Sequence, residues 1–435
     1  MHDLWEDSDS PIANEQKPRR FHRSPTEAAI LPALREWLLR DYTMPYCRSL
    51  AATRIFRRCY WVDALGGSPG TRGTLTQALQ QVNNTSQALA SEDGDRKSQP
   101  LTLQGLLLAQ VRGVQRSRKG KEHPQVEETT VPFTLPRASA IVEADWLTPA
   151  LLEALEQYAS IFLLNFFPPT TSSPSKREIP FLTQDELAPY SSRTTPTEVC
   201  LLISRTQVAH RMLPSLRAKA TASAFTALLR SDRWKAQLAH ENEAEHGIDT
   251  VIDLLRSAMQ PSFLAVQRIG FPMLVGPATV EETPFELLFA TRRQDSLLCM
   301  NDAICGYRRG LEEEGFRGLL NEVWFRQQYE ARLAQNRQAL KERILEIGLA
   351  QSPRRWPEMR QHILLARFGS HLLSEYDQVI VELLEAGTLR CEWRGRTART
   401  AQTAQTAQAT HGGQQERRIP GNDDLLLWQA KKRHY

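Results

Sequence analysis

Residues 54–70 read RIFRRCYWVDALGGSPG, a run of aromatic and β-branched residues followed by a turn rich in glycine. The composition predicts a β-strand over residues 54–62 that ends at Asp63. In open α/β sheets, ligands bind beyond the carboxyl ends of the strands, where glycines let backbone N–H groups approach a cofactor. The stretch lacks the GxGxxG spacing, and a structural turn uses the same residue types, so both interpretations stay open.

Other segments of the chain alternate between strand-like and helix-like patterns. Their apolar runs are nearly continuous, which is typical of strands buried on both faces of a parallel sheet. The alternation predicts an α/β fold with a Rossmann-like, doubly wound sheet. The predicted strands are 138–143, 161–166, 198–204 and 284–291, and the predicted helices between and after them are 148–158, 208–219 and 295–307.

The predicted α/β domain spans residues 25–310 and begins with an amphipathic helix over residues 25–41. We expect residues 1–24 to form a mobile leader. Two stretches rich in charged, Pro, Ser or Thr residues predict insertions near 91–130 and 168–196.

The C-terminal third changes character. Residues 311–352 are charged and helix-prone, which predicts a helical connector. Residues 353–435 show the order helix, turn, helix, strand, which predicts a winged-helix domain. Repeated Ala-Gln-Thr units over 397–415 predict a low-complexity wing.

Composition limits the function classes. The chain has 435 residues and a formal net charge of +4, which suggests two or three domains and a positive surplus too small to identify a nucleic-acid binder. The most apolar run, Ile161–Phe167, is much shorter than the roughly 20 residues of a membrane-spanning helix. The N-terminus lacks the apolar core of a secretory signal, so we expect a cytoplasmic protein that does not bind a membrane.

Cysteine and histidine give no sign of metal or hydrolase chemistry. The six cysteines include no CxxC pair, and we interpret them as reduced core thiols. The histidines lie next to no recognisable nucleophile and carboxylate pattern, so a hydrolytic triad is not supported. The sequence therefore predicts no metal site.

The order of several short motifs resembles the three-Cys-motif partner family, whose members have a class I methyltransferase-like α/β domain. The segment Trp61-Val-Asp-Ala-Leu-Gly-Gly67 is similar to the family's aromatic-x-Asp-Gly-Phe-Ala-Gly element. Leu164-Asn-Phe-Phe-Pro168 resembles its Leu-Asp-Pro-Phe-Gly element. Pro284-Phe-Glu-Leu-Leu-Phe-Ala-Thr291 is close to its Leu-Ile-Phe-Ala-Thr segment and is the most specific match.

The resemblance implies one of two functions. The first is an S-adenosylmethionine-dependent methyltransferase that acts on nucleic acid or protein. The second is a degenerate, non-catalytic scaffold that binds a three-Cys-motif protein, nucleic acid, or both; Ala64 replaces the family's first glycine and Asn165 stands where Asp is usual. The two differ in whether the pocket after the first strand stays open or is filled by Trp61 and Leu65.

The resemblance implies cofactor contacts at Asp63, Gly66, Gly67 and Asp145. Asp63 is suited to bind amino or ribose groups of the cofactor, and equally to cap the following turn. Asp145 is suited to contact an adenine amino group, and equally to lie in the N-terminal cap region of the next helix.

An amino-methyltransferase acceptor site often combines an amide, an aromatic ring and a proline at a strand end, and this chain offers Asn165, Phe166 and Pro168. The amide carbonyl of Asn165 would accept a hydrogen bond from the target amine while an aromatic ring stacks on a planar base. A loop-entry asparagine followed by core phenylalanines explains the same residues.

Basic residues of the predicted winged helix form the candidate nucleic-acid contacts Arg390, Arg394 and Arg396. Such clusters neutralise phosphates without reading sequence. A winged helix also packs against its own catalytic domain or a protein partner, so this alternative stays open.

Overall fold

Seven strands form one central sheet in the computed structural model of the chain. The structure describes residues 27–65, 72–92, 101–109, 133–143, 147–168, 179–239, 244–276, 279–350, 355–394 and 419–428. The predicted leader 1–24 and wing 397–415 lie outside the described residues.

The strands of the central sheet and of a separate C-terminal hairpin are short segments rich in apolar residues. They are β1 (Arg58–Ala64), β2 (Thr102–Ala109), β3 (Ala140–Glu143), β4 (Ala159–Asn165), β5 (Thr197–Ser204), β6 (Ala265–Gly276), β7 (Thr279–Thr291), β8 (Leu389–Glu392) and β9 (Leu425–Trp428).

The helices lie between these strands and in the C-terminal third. They are α1 (Glu27–Trp37), α2 (Met44–Thr53), α3 (Arg72–Glu92), α4 (Pro149–Leu155), α5 (Gln184–Ser192), α6 (Arg205–Gln207), α7 (Leu213–Ser215), α8 (Lys219–Leu229), α9 (Trp234–Ala239), α10 (Ala244–Met259), α11 (Gln294–Phe316), α12 (Glu322–Ala350), α13 (Trp356–Ala366) and α14 (Leu373–Glu385). Two π-helical segments, Leu38–Thr43 and Val208–Met212, continue α1 and α6.

The strand order is β3-β2-β1-β4-β5-β7-β6. Strands β1 to β5 run parallel to one another, whereas β7 runs antiparallel to both β5 and β6. The chain builds β1, β2 and β3 outward in one direction and then returns to place β4 on the other side of β1. This reversal creates a topological switch point between β1 and β4, the position where open α/β sheets bind ligands.

Both faces of the central strands are buried, which explains their continuous apolar sequences. In β1, Tyr60 and Val62 pack into the core on one face of the sheet, and Cys59 and Trp61 into the core on the other. The predicted α/β fold is thus confirmed, as a mostly parallel sheet flanked by helices.

Several elements differ from the sequence-based predictions. Residues 102–109, inside the predicted insertion 91–130, form β2 and pair directly with β1. The predicted loop 168–196 contains α5, which begins with a capping box formed by Thr183 and Glu186. Strand β6 was not predicted at all.

The elements from α12 to β9, here named the C-terminal unit, pack on α11 through buried polar contacts. The amide of Asn301 donates to the carbonyl of His371 at 2.8 Å and accepts from the N–H of Gly369 at 2.9 Å. Asp302 accepts from the N–H of Leu373 at 2.8 Å. Helices α12, α13 and α14 and the β8–β9 hairpin share a further apolar core, which also includes Leu297 of α11.

Candidate functional site

Asp63 lies at the carboxyl end of β1, beside the switch point of the sheet. Its side chain is fully buried. Arg35 of α1 donates from Nε to Oδ2 at 2.5 Å and from Nη2 to Oδ1 at 3.2 Å. The backbone N–H of Leu65 donates to Oδ1 at 3.1 Å. The negative charge of the carboxylate is therefore balanced by Arg35, and its oxygens accept hydrogen bonds from within the chain.

Helix α1 brings Arg35 to this position because its apolar side packs onto the sheet, with Ile30, Leu34 and Trp37 buried. The side chain of Arg35 is itself only 3% exposed. A buried guanidinium requires a partner, and two parallel hydrogen bonds to a carboxylate suit its geometry. Sequence analysis did not identify Arg35. The signal for it was a basic residue next to the buried apolar positions of an amphipathic helix.

Two apolar side chains near the end of β1 pack into the core of the described residues. Trp61 is fully buried and Leu65 nearly so, on the face of the sheet that α1 covers. The other predicted cofactor contacts, Gly66, Gly67 and Asp145, lie outside the described residues.

Asn165, at the end of β4, is buried and forms a local turn. Its Oδ1 accepts from the N–H of Phe167 at 3.0 Å, the usual role of an asparagine that caps a turn. Phe166 stacks on Phe181 with ring centroids 5.7 Å apart and meets Phe167 edge-on at 5.0 Å. Because Phe166 and Pro168 are also buried, the described arrangement offers no exposed ring for a planar base.

A charged cluster that sequence analysis missed lies where β5 ends and β7 runs beside it. Arg205 donates to Asp249 at 2.7 Å and to Glu286, and Arg268 donates to Glu286 at 2.6 Å and to Asp249 at 2.5 Å. Burial alone would raise the pKa of Asp249, but hydrogen bonds from Arg205 and Arg268 outweigh burial and hold this pKa below its usual range. No short-range pattern links residues so distant in the chain.

The polar side chains described at the carboxyl ends of β1, β4 and β5 thus have partners within the protein. Asp63 pairs with Arg35, Asn165 caps its own turn, and Arg205 pairs with Glu286. In enzymes, by contrast, a pocket presents a few convergent polar groups to the ligand.

Glu198 forms a second buried polar network, near the amino end of β5 and on the opposite edge of the sheet. It accepts hydrogen bonds from Tyr46 at 2.8 Å and from Ser296 at 2.7 Å, and Ser296 also bonds Tyr42 at 2.9 Å. Complete burial raises the pKa of Glu198 to about 7, although these hydroxyl groups favour the charged form. The network joins helices α2 and α11 to the sheet and lies away from the switch point.

The predicted nucleic-acid contacts fall on the β8–β9 hairpin. Arg390 is exposed on β8. Arg394 follows β8; its backbone N–H donates to Asp424 at 2.8 Å and its side chain pairs with Glu392. Arg396 lies outside the described residues.

A small cavity of about 40 Å³ lies between α5, α8 and α10, away from the end of β1, and its lining includes Tyr190, Leu201 and Leu228. Within the described ranges, no group of three His, Cys, Asp or Glu side chains is arranged to hold a metal ion. None of the described helices combines the length and apolar character needed to cross a membrane.

Comparisons of the chain with protein-family models, curated proteins and solved structures gave no match. Function is therefore inferred from the residues of the chain.

Proposed function

We propose that the chain is a partner-binding protein, similar to the three-Cys-motif partner family, in which a methyltransferase-like α/β domain serves as a scaffold rather than a catalyst. The ion pair of Arg35 and Asp63 carries this proposal. Among the four expected cofactor contacts, Asp63 is the one within the described residues, and α1 already engages it.

The strand order β3-β2-β1-β4-β5-β7-β6 supports the methyltransferase-like architecture. Its first five strands follow the order 3-2-1-4-5 of doubly wound Rossmann-like sheets, the architecture that the resemblance implies. A shared fold does not carry activity with it, because function depends on the site residues.

The described residues do not fit a bound S-adenosylmethionine. The cofactor carries positively charged sulfonium and ammonium groups, which a carboxylate at the end of β1 would bind. Arg35 supplies a cation to Asp63 from within the chain, and Trp61 and Leu65 are buried near the end of β1. No methyl-transfer step is therefore assigned to these residues.

Methyl transfer to nucleic acid or protein is the second candidate function. The strand order favours it, and so do the positions of Asp63 and Asn165 at the ends of adjacent strands. It requires Arg35 to release Asp63 when the cofactor binds.

For the C-terminal unit we infer a winged-helix-like role in protein contact. Helix α14 carries four acidic residues, Glu375, Asp377, Glu382 and Glu385, and no lysine or arginine. Glu375, Asp377 and Glu382 are paired with Arg309, Arg360 and Arg337. The helix itself therefore offers no basic side chain to the phosphates beside a DNA groove. Nucleic-acid contact through Arg390, Arg394 and Arg396 is the alternative, and it predicts binding that weakens steeply as salt rises.

Calorimetric titration with S-adenosylmethionine and S-adenosylhomocysteine tests the proposal. A scaffold gives no heat and no thermal shift at millimolar ligand. Micromolar binding to the wild type that is lost in Asp63→Asn would overturn the proposal in favour of the methyltransferase. Because Asp63→Asn leaves Arg35 without its charged partner, the variant is first checked for a cooperative thermal transition.

A further inference from the structure

The turn between α11 and α12 exposes three large apolar side chains. The exposed fraction is 106% for Leu320, 71% for Val323 and 56% for Trp324. Residues 316–329, here named the α11–α12 tip, contain all three. Leu320 lies in the turn before α12, and Val323 and Trp324 lie in the first turn of that helix.

A groove adjoins these side chains. It has a volume of about 580 Å³, and its lining includes Phe316, Phe325 and Tyr329. Phe316 and Tyr329 contact each other with ring centroids 5.9 Å apart, and the ring of Trp324 meets Phe325 edge-on at 5.0 Å. The exposed ring of Trp324 thus lies against Phe325, a residue that lines the groove.

Tyr329 provides a polar group within this groove. Its side chain is 8% exposed, and its hydroxyl has no hydrogen-bond partner among the described residues. Burial raises the pKa of Tyr329 to about 12, so the hydroxyl keeps its proton and is available as a donor. A buried donor without a partner favours a ligand that accepts a hydrogen bond.

The charges around the tip are unbalanced. Residues 311–333 contain five acidic and three basic side chains, although the whole chain has a net charge of +4. Arg326 pairs with Glu322 at 2.6 Å, and Arg332 pairs with Glu312. The remaining charged residues, which form no ion pair with the described part of the chain, are Glu313, Glu314, Glu330 and Arg317.

We propose that the α11–α12 tip is a docking surface for a protein partner whose binding segment carries apolar side chains flanked by lysine or arginine. The proposal rests on the partner-binding function above and names its surface. Exposed tryptophan and leucine with the adjoining groove supply the anchors, and the exposed glutamates on either side of the tip, Glu313, Glu314 and Glu330, select basic flanks.

Charge favours such a partner over a second copy of this chain. Two copies meeting tip to tip would bring Glu313 and Glu314 of each close to those of the other, and like charges in an interface are costly. A basic segment would relieve the same repulsion.

The test uses a short fluorescein-labelled helical peptide of leucine and lysine, and a matched peptide in which glutamate replaces lysine. Fluorescence anisotropy measures binding to the full chain. We expect the lysine peptide to bind, Trp324→Ala to raise its Kd about tenfold or more, and Glu313→Lys/Glu314→Lys to raise it as well. Ile55→Ala is the matched control, because Ile55 is also an exposed apolar residue but lies between α2 and β1.

Three results would overturn the proposal: equal binding of the two peptides, equal loss in Trp324→Ala and Ile55→Ala, or a dimer in light scattering that Trp324→Ala abolishes. The last would assign the tip to a second copy. These results are independent of the cofactor titration, so failure of the docking surface is distinguishable from failure of the scaffold function.

Discussion

Gly348 of α12 and Trp428 of β9 approach so closely that no side chain fits between them. A β-carbon at Gly348 would stand 2.2 Å from Cε2 of the Trp428 ring. The contact holds β9, the last described strand, against α12.

Gly348→Ala should therefore lower the free energy of unfolding by about 1–3 kcal/mol, the usual cost of overpacking a tight contact. Urea denaturation followed by tryptophan fluorescence measures the change. Gly310→Ala is the control: a β-carbon there meets nothing within 4 Å, and alanine in a helix stabilises by roughly 0.5–1 kcal/mol relative to glycine. Equal effects of the two variants would contradict the tight contact.

Gly369→Ala should destabilise the junction between α11 and the C-terminal unit. Gly369 has a φ of +73°, and a β-carbon would lie 2.6 Å from Cγ2 of Ile304. The matched variant Gly387→Ala has the same kind of backbone, with φ +67°, but open space around it. Thermal melting should show the larger loss for Gly369→Ala, and the double variant Gly369→Ala/Ile304→Ala should lose less than the sum of the two single losses. Similar losses in both glycine variants would leave the backbone as the sole cause.

The Arg35–Asp63 pair should show strong coupling. Arg35→Met or Asp63→Leu alone should cost about 3–5 kcal/mol, because each leaves an uncompensated buried charge. The double variant Arg35→Met/Asp63→Leu should recover most of this loss, since apolar replacements of a buried pair are often neutral. Denaturant unfolding of all three measures the coupling; additive losses would show that the residues do not act as a pair.

Glu198 should make stability depend on pH. Its pKa is raised from 4.5 to about 7 in the folded protein, so the folded state holds this proton more tightly than the unfolded chain. The contribution is fully present below pH 4.5 and is lost as pH rises towards 7; the full shift corresponds to roughly 3 kcal/mol.

Stability curves of the wild type and Glu198→Gln between pH 4.5 and 7.5 provide the measurement. The variant should show a flatter profile than the wild type. Glu342→Gln, on the exposed side of α12, is the control and should keep the wild-type slope. An unchanged slope in Glu198→Gln would mean that other groups cause the dependence.

Strands β4 and β5 could be predicted from sequence, and the edge strand β6 could not. Strands β4 and β5 are buried on both faces, so most of their residues are apolar. Strand β6 lies at the edge of the sheet and contains Arg268 and Pro272, which no strand pattern favours. Its conformation depends on pairing with β7, a tertiary interaction.

The site was only partly predictable for the same reason. Asp63 could be placed at the end of β1 from local composition. Its partner Arg35 lies 28 residues earlier, and the pairing arises only when α1 packs on the sheet. The helix α5, in contrast, carried a local signal in Thr183 and Glu186 that sequence analysis did not use.

Helix α11 belongs equally to both parts of the chain. On one side, Ser296 bonds Tyr42 and the carbonyl of Ala303 accepts from Trp37. On the other, Asn301 holds the loop before α14. Because one helix completes two cores, we expect the loss of one core to destabilise the other. The two parts should melt in a single cooperative transition, and a cut between α11 and α12 would unfold both together.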